Sequence, residues 1–121
     1  MIGLGIDAVD IARFEASLQR SPRLRERLFT ANERELATRR ADASAVLAAR
    51  FAVREATMKA LGVGLGAFDF HDVSVVSGDN GRPSLHVTGR AAELARASGV
   101  SVWHVSISHT DDLAVAVVAA Q

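Results

Sequence analysis

Asp7, Glu55 and Lys59 bring two carboxylates and the chain's one primary side-chain amine into a pattern capable of holding a metal-bound phosphate. Two carboxylates, with substrate phosphate and water, are a usual way to hold Mg²⁺, a hard cation that gives up its hydration reluctantly. Lys59 follows Glu55 by four residues, so on a helix both project from one face. It is also the only lysine among the 14 Lys and Arg residues, which points to a position where a compact ammonium is wanted instead of a planar guanidinium, the plain alternative being survival by chance in an Arg-rich composition. A plainer alternative stays open: Glu55 and Lys59 could form an ordinary surface ion pair, worth about 0.3–0.5 kcal/mol. Gly62, Gly64 and Gly66 come next and could bring backbone N–H groups to a phosphate, though a helix end running into a loop looks the same. Ser106-Ile107-Ser108-His109-Thr110 sets hydroxyls and an imidazole at a strand end, with a solvated turn as the plainer reading.

Several elements must position these groups. Ile2, Leu4 and Ile6 alternate with Gly3, Gly5 and Asp7, which predicts a strand ending on the carboxylate, with glycines that let another backbone or a ligand come close. Ile11, Phe14 and Leu18 follow helical spacing from Asp10, a candidate N-cap, to Gln19. Ser21-Pro22 breaks that helix and starts a short one with Pro22 at its first position. Thr30 to Glu33 is a capping-box pattern opening a third helix. Ala43 to Leu61 has no Gly or Pro and predicts the longest helix. Val46, Ala49, Val53, Ala56 and Ala60 line one side, and Leu47, Phe51, Met58 and Leu61 another, so the helix is central and mostly buried. Its third face runs Ala48, Ala52, Glu55, Lys59.

The second half reads as strands. Val73 to Ser77 and Arg82 to Thr88 flank a Gly78-Asp79-Asn80-Gly81 turn, a hairpin signal. A short helix over Gly89 to Ala97 precedes strands at Trp103 to His109 and Leu113 to Ala120, joined by a turn at Thr110-Asp111-Asp112. The expected fold is α+β: one domain over residues 1–121, with a mostly antiparallel sheet packed on one long central helix.

Composition removes several function classes. A length of 121 residues suits one domain, and 49% hydrophobic with 23% charged residues suits a globular chain. No apolar run reaches the roughly 18 residues of a membrane helix, and MIGLGID lacks the basic start of a secretory signal. With no cysteine, disulfides and thiolate chemistry are excluded, and a cytosolic location is expected. A net charge of zero argues against a general nucleic-acid binder. Residues 11–40 nevertheless hold eight Arg against four Glu, a local basic patch that fits an acidic partner or, more simply, a solvated helical face.

Three segments together resemble one family. Gly5-Ile6-Asp7 followed by Arg13, the run FAVREATMKALGVG from Phe51 to Gly64, and VSISHT from Val105 to Thr110 are similar to the phosphopantetheinyl transferases of the short holo-acyl-carrier-protein synthase type. Their order, their spacing and the chain length agree. Arg54 departs from the family, which usually has Lys there, and so does the doubled acid Asp111-Asp112. Arg54 is expected to tune substrate contacts.

The resemblance implies a 4′-phosphopantetheinyl transferase-like fold and a reaction serving fatty acid biosynthesis. The 4′-phosphopantetheine arm of coenzyme A moves to a serine of an apo acyl carrier protein, or a carrier domain of a fatty-acid synthase, and 3′,5′-ADP is released. It further implies Asp7 and Glu55 as ligands of Mg²⁺ (Mn²⁺ being an alternative), Lys59 on the pyrophosphate, and Glu55, directly or through a metal-held water, as acceptor of the serine proton. His109, helped by Asp111, is the second candidate base. Ser108, His109 and Thr110 would line the nucleotide end of coenzyme A with Asn80, Gly81, Arg82 and Pro83. Arg50 would meet the 3′-phosphate, and the backbone at Gly62 and Gly64 would approach the phosphates. Arg13, Arg20 and Arg23 match the family's carrier-docking surface, and the short members look like homotrimers with sites at subunit interfaces. Two rival readings are a Mg²⁺-dependent nucleotide pyrophosphohydrolase and a non-catalytic module that binds coenzyme A or a carrier protein.

Overall fold

The computed structural model describes residues 2–78 and 80–121. Met1 and Asp79, the latter within the expected hairpin turn, lie outside the described residues. The element order is β1 (Gly3–Asp10), α1 (Ile11–Arg20), α2 (Leu24–Leu28), α3 (Ala31–Thr38), α4 (Ala43–Leu61), a 3-10 turn (Phe70–Asp72), β2 (Val73–Ser77), β3 (Pro83–Val87), α5 (Gly89–Ala97), β4 (Trp103–His109) and β5 (Leu113–Ala120). The α+β class is as expected.

Helix α4 has the expected limits because nothing within it interrupts the hydrogen-bond ladder and Gly62 takes the left-handed conformation at its end, φ 69°. Its apolar sides meet two continuous cores. One gathers Val53, Ala56 and Ala60 with Val73, Val118 and Ala120. The other gathers Leu47, Val46 and Ala49 with Phe14, Leu18 and Phe29. Strands β1, β5 and β4 form an antiparallel sheet in that order, and β2 and β3 form a separate antiparallel hairpin. The expected single sheet is therefore divided in two, both parts packed on α4.

Gly3 and Gly5 explain how β1 meets α4. A Cβ on Gly5 would lie 1.8 Å from the Ala56 carbonyl oxygen, and one on Gly3 would lie 1.8 Å from that of Ala60. Only glycine lets the strand backbone rest directly on the helix backbone. Strand alternation then turns Asp7 to the same side, toward α4.

Three expectations change. Asp7 does not end its strand: β1 runs on to Asp10 because its ladder with β5 continues from Gly3–Ala120 to Asp10–Leu113. Pro22 does not open α2, which begins at Leu24 after a turn closed by Leu24 N–H donating to Ser21 O at 2.9 Å. The hairpin's return strand starts at Pro83 instead of Arg82, since Arg82 is used in the turn, its carbonyl accepting from Gly78 N–H at 2.9 Å. Both predicted caps form. The Asp10 carboxylate accepts from Arg13 N–H at 3.0 Å, and the Thr30–Glu33 capping box is complete.

Candidate active site

The close approach of β1 and α4 brings Asp7, Glu55 and Lys59 together across 52 residues of chain. The Lys59 ammonium donates to the Ile6 carbonyl at 2.9 Å and to Asp7 Oδ1 at 3.2 Å. The ordinary Glu55–Lys59 ion pair is thereby corrected: the ammonium spends its bonds on β1. Glu55 is half-buried on α4. Burial first, and then the Asp7 carboxylate, push its carboxyl above the usual range, while Lys59 pulls it down less strongly. A carboxyl raised in this way is suited to accepting a proton.

Two carboxylates facing one another repel, and a hard divalent cation relieves that repulsion. The all-oxygen donor set of Asp7 and Glu55 thus fits Mg²⁺ or Mn²⁺ with substrate phosphate filling the shell. Among the described residues no group of three or more His, Asp or Glu side chains could form a cage made by protein alone.

Glu55 borders a cleft of about 1050 Å³. Phe14 of α1, Phe51 of α4 and Phe70 of the 3-10 turn form its wall, while Arg23 and Arg27 line it from α2 and the turn before it. Phe14 stacks on Phe51 with centroids 5.0 Å apart, and Phe51 lies 6.2 Å from Phe70. The glycine loop contributes Gly66 to this cleft. Gly62 is corrected as a phosphate donor, because its N–H already closes α4 by donating to Lys59 O at 3.1 Å. Gly64 sits with open space around it. Arg13, Arg20 and Arg23 are exposed on α1 and the turn after it, and none is paired with a carboxylate among the described residues.

The remaining sequence-predicted residues fall into two other clefts. Asn80, Arg82 and Pro83 line one of about 370 Å³ with Trp103 and His104. Gly81 beside them has φ +76°, the conformation that lets the hairpin turn close. His109 and Thr110 line another, of about 420 Å³, with Asp42 and Asp111. Ser108 is exposed on β4 nearby. His109 is approached by Asp42, its Nε2 3.7 Å from Oδ2, which corrects Asp111 as its helper. His109 Nδ1 lies 3.1 Å from the Thr110 carbonyl, which can only accept. Asp42 itself is held below the usual carboxylate range, chiefly by its hydrogen bond from Arg40.

Arg54 and Arg50 turn inward. Arg54 is fully buried, so direct contact with substrate is corrected. Its Nη2 and Nη1 donate to Glu33 Oε1 and Oε2 at 2.5 and 3.1 Å, and its Nε donates to Phe70 O at 2.8 Å. Arg50 is buried except at its edge, with Nε 3.9 Å from Glu33 Oε2 and without a hydrogen-bond partner among the described residues. Burial lowers the Arg50 guanidinium below its ordinary value, against the pull of Glu33. Sequence reading missed the Glu33–Arg54 pair and the aromatic wall. The capping box accounts for Glu33 locally and hides its second role; the available signal was Arg54 falling within the apolar side Leu47, Phe51, Met58 and Leu61 of α4.

Comparison with known proteins gives one answer at every level. The family model described as the 4′-phosphopantetheinyl transferase superfamily matches residues 3–118. A holo-[acyl-carrier-protein] synthase of Kocuria rhizophila is 53% identical over 121 residues, covering 100% of this chain and 93% of that protein. The crystal structure of the Helicobacter pylori holo-[acyl-carrier-protein] synthase in complex with coenzyme A superposes with a TM-score of 0.85 at 32% identity, covering 98% of this chain and 99% of that one. The Neisseria meningitidis enzyme gives a TM-score of 0.91 at 26% identity over 100% and 98% of the two chains. Motif, fold and relatives agree, and the chain belongs to the 4′-phosphopantetheinyl transferase superfamily.

Proposed function

We propose that this chain is a holo-acyl-carrier-protein synthase. It transfers 4′-phosphopantetheine from coenzyme A to a serine of an apo acyl carrier protein or carrier domain and releases 3′,5′-ADP. The observation that carries this reading is the meeting of Asp7, Glu55 and Lys59 beside a cleft with a basic rim. In the reaction the serine oxygen bonds to the β-phosphorus of coenzyme A, and the bond from that phosphorus to the bridging oxygen breaks. The 3′,5′-ADP carries off the bridging oxygen and its electron pair.

Asp7 and Glu55 would hold Mg²⁺, or Mn²⁺ in its place. The ion, when bound, supplies Lewis-acid neutralisation of the pyrophosphate. Lys59, tethered to Ile6 O and Asp7, would meet the pyrophosphate and steady the leaving group. Glu55, with its raised carboxyl, accepts the serine proton. His109 lines a cleft separate from the one Glu55 borders, so it takes a nucleotide contact in this reading and ranks below Glu55 as base.

The Helicobacter pylori relative binds coenzyme A, and we carry that substrate over. Ser108, His109, Thr110, Asn80, Gly81, Arg82 and Pro83 would receive its nucleotide end, and Gly64 would lie near its phosphates. Arg50, buried except at its edge, remains our candidate for the 3′-phosphate through that edge. Arg13, Arg20 and Arg23 would steer the acidic carrier, acting mainly on association rate and salt dependence.

The nucleotide residues occupy two separate clefts within one chain, which favours a site completed by another copy. The outer face of the β1–β5–β4 sheet supports the same reading. Leu4 and Ile6 are 60% and 58% exposed there, in register with Ala119 and Val117. Such an apolar face on a small chain calls for a cover, and we propose a homotrimer. Among the described residues no helix is long and apolar enough to cross a membrane, and we place the enzyme in the cytosol with its substrates.

The test is release of 3′,5′-ADP in the presence of coenzyme A, Mg²⁺ and apo carrier protein. Asp7→Asn and Glu55→Gln should each lower the rate by about 10²-fold or more while the fold is kept. Near-normal rates in either variant would overturn the assignment.

A further inference from the structure

The Arg54 guanidinium sits at the junction of three elements. It holds both carboxylate oxygens of Glu33 on α3, donates to Phe70 O in the 3-10 turn, and donates to Arg50 O at 3.3 Å within α4. It also lies 5.3 Å over the Phe29 ring. Glu33 is fixed in turn by Thr30 N–H at 3.0 Å and Val75 N–H at 3.4 Å. A buried ion pair is weak evidence for stability, because desolvating two charges offsets most of their attraction. The pair does define geometry. A planar fork can serve Glu33 and Phe70 at once, and a lysine ammonium, a point charge on a flexible stem, cannot reproduce that arrangement.

The element it holds is part of the cleft. Phe70 closes the aromatic row Phe14–Phe51–Phe70 that leads to Glu55. Arg54 and Glu55 are successive residues of α4, so the turn that points Glu55 into the cleft points Arg54 into the core behind its wall. We propose that Arg54 is a positioning residue for recognition of the carrier protein: acting through Phe70, it sets the wall of the cleft that ends at Glu55. The proposal rests on the reading that this cleft, rimmed by Arg23 and Arg27, receives the carrier side of the reaction.

The test is a double-mutant cycle of Arg54→Lys and Phe70→Ala in the full chain, read by steady-state kinetics. Carrier protein is varied at saturating coenzyme A, and then the reverse. Each single variant should raise the KM for carrier about tenfold, leave kcat within about twofold and leave the KM for coenzyme A unchanged. The double variant should be no worse than Phe70→Ala alone, since both act through one contact. Additive effects, or a loss in kcat with carrier KM unchanged, would overturn the proposal. If Phe70→Ala leaves the carrier KM unchanged, the cleft does not receive the carrier and the underlying reading fails. If Phe70→Ala raises that KM and Arg54→Lys does not, the positioning role alone fails. Glu33→Gln, which weakens the fork but keeps Arg54, runs the same cycle should Arg54→Lys not fold.

Discussion

Replacing Gly5 by alanine tests the contact on which the site depends. The added Cβ would sit 1.8 Å from Ala56 O and 2.9 Å from Ala60 N, both backbone atoms of α4. Ordinary contact begins near 3.4 Å, so β1 and α4 must part by about 1.5 Å at this point. Neither side yields easily. β1 is laddered to β5 along its whole length, and Ala56 is fully buried in the core. Overpacking usually costs about 1–3 kcal/mol, and a clash with helix backbone belongs at or beyond the upper end. At about 4 °C per kcal/mol for a chain of this size, Tm should fall by about 12 °C. The displacement also carries Asp7 away from Glu55 and Lys59, and a misplacement of about 1 Å can cost about 10²-fold in rate. The assay pairs thermal unfolding with turnover measured under conditions where the variant is folded. Gly5→Ala matching wild type in both stability and turnover would refute the argument that backbone contact sets the site.

Other perturbations follow from the same geometry. Glu55 has its carboxyl raised by burial and by Asp7, so the stability it contributes is present below its unfolded pKa and lost as pH rises through the folded one. In EDTA, Glu55→Gln should therefore unfold at a higher temperature than wild type above the ordinary carboxylate range. Equal melting curves between pH 4 and 8 would contradict this. Lys59→Met removes a cation 3.2 Å from Asp7; Mn²⁺ should bind several-fold more tightly in calorimetry while turnover falls, and weaker binding would count against the Asp7 assignment. Arg20→Glu with Arg23→Glu should raise the KM for carrier and flatten its salt dependence, with coenzyme A affinity kept. If both substrates suffer alike, the patch is structural. Ile6→Asp should lower the solution mass measured by light scattering, because a charge would enter the apolar sheet face; an unchanged mass would place the interface elsewhere.

Local signals made much of this molecule legible in its sequence. The limits of α4 follow from an uninterrupted run closed by Gly62, and the Asp10 and Thr30–Glu33 caps are written within four residues each. The alternation of Gly3 and Gly5 foretold a close backbone approach, which proves to be α4. Contacts between distant segments were beyond that reach. Lys59 has Glu55 one turn away, but its bonds go to Ile6 and Asp7 on a strand more than fifty residues earlier. Periodicity carries no information about such a partner. Glu33 was explained by its cap and thus concealed its grip on Arg54, and the aromatic wall joins residues from α1, α4 and the 3-10 turn. The division of the sheet also escaped prediction, since strand pattern does not say where a ladder stops.

The intact mass of an apo acyl carrier protein, measured after incubation with this enzyme, coenzyme A and Mg²⁺, reads the transfer itself. The mass should rise by one phosphopantetheine arm, and EDTA or Glu55→Gln should each abolish that gain. No gain while coenzyme A still binds, or a gain indifferent to both treatments, would contradict the proposed function.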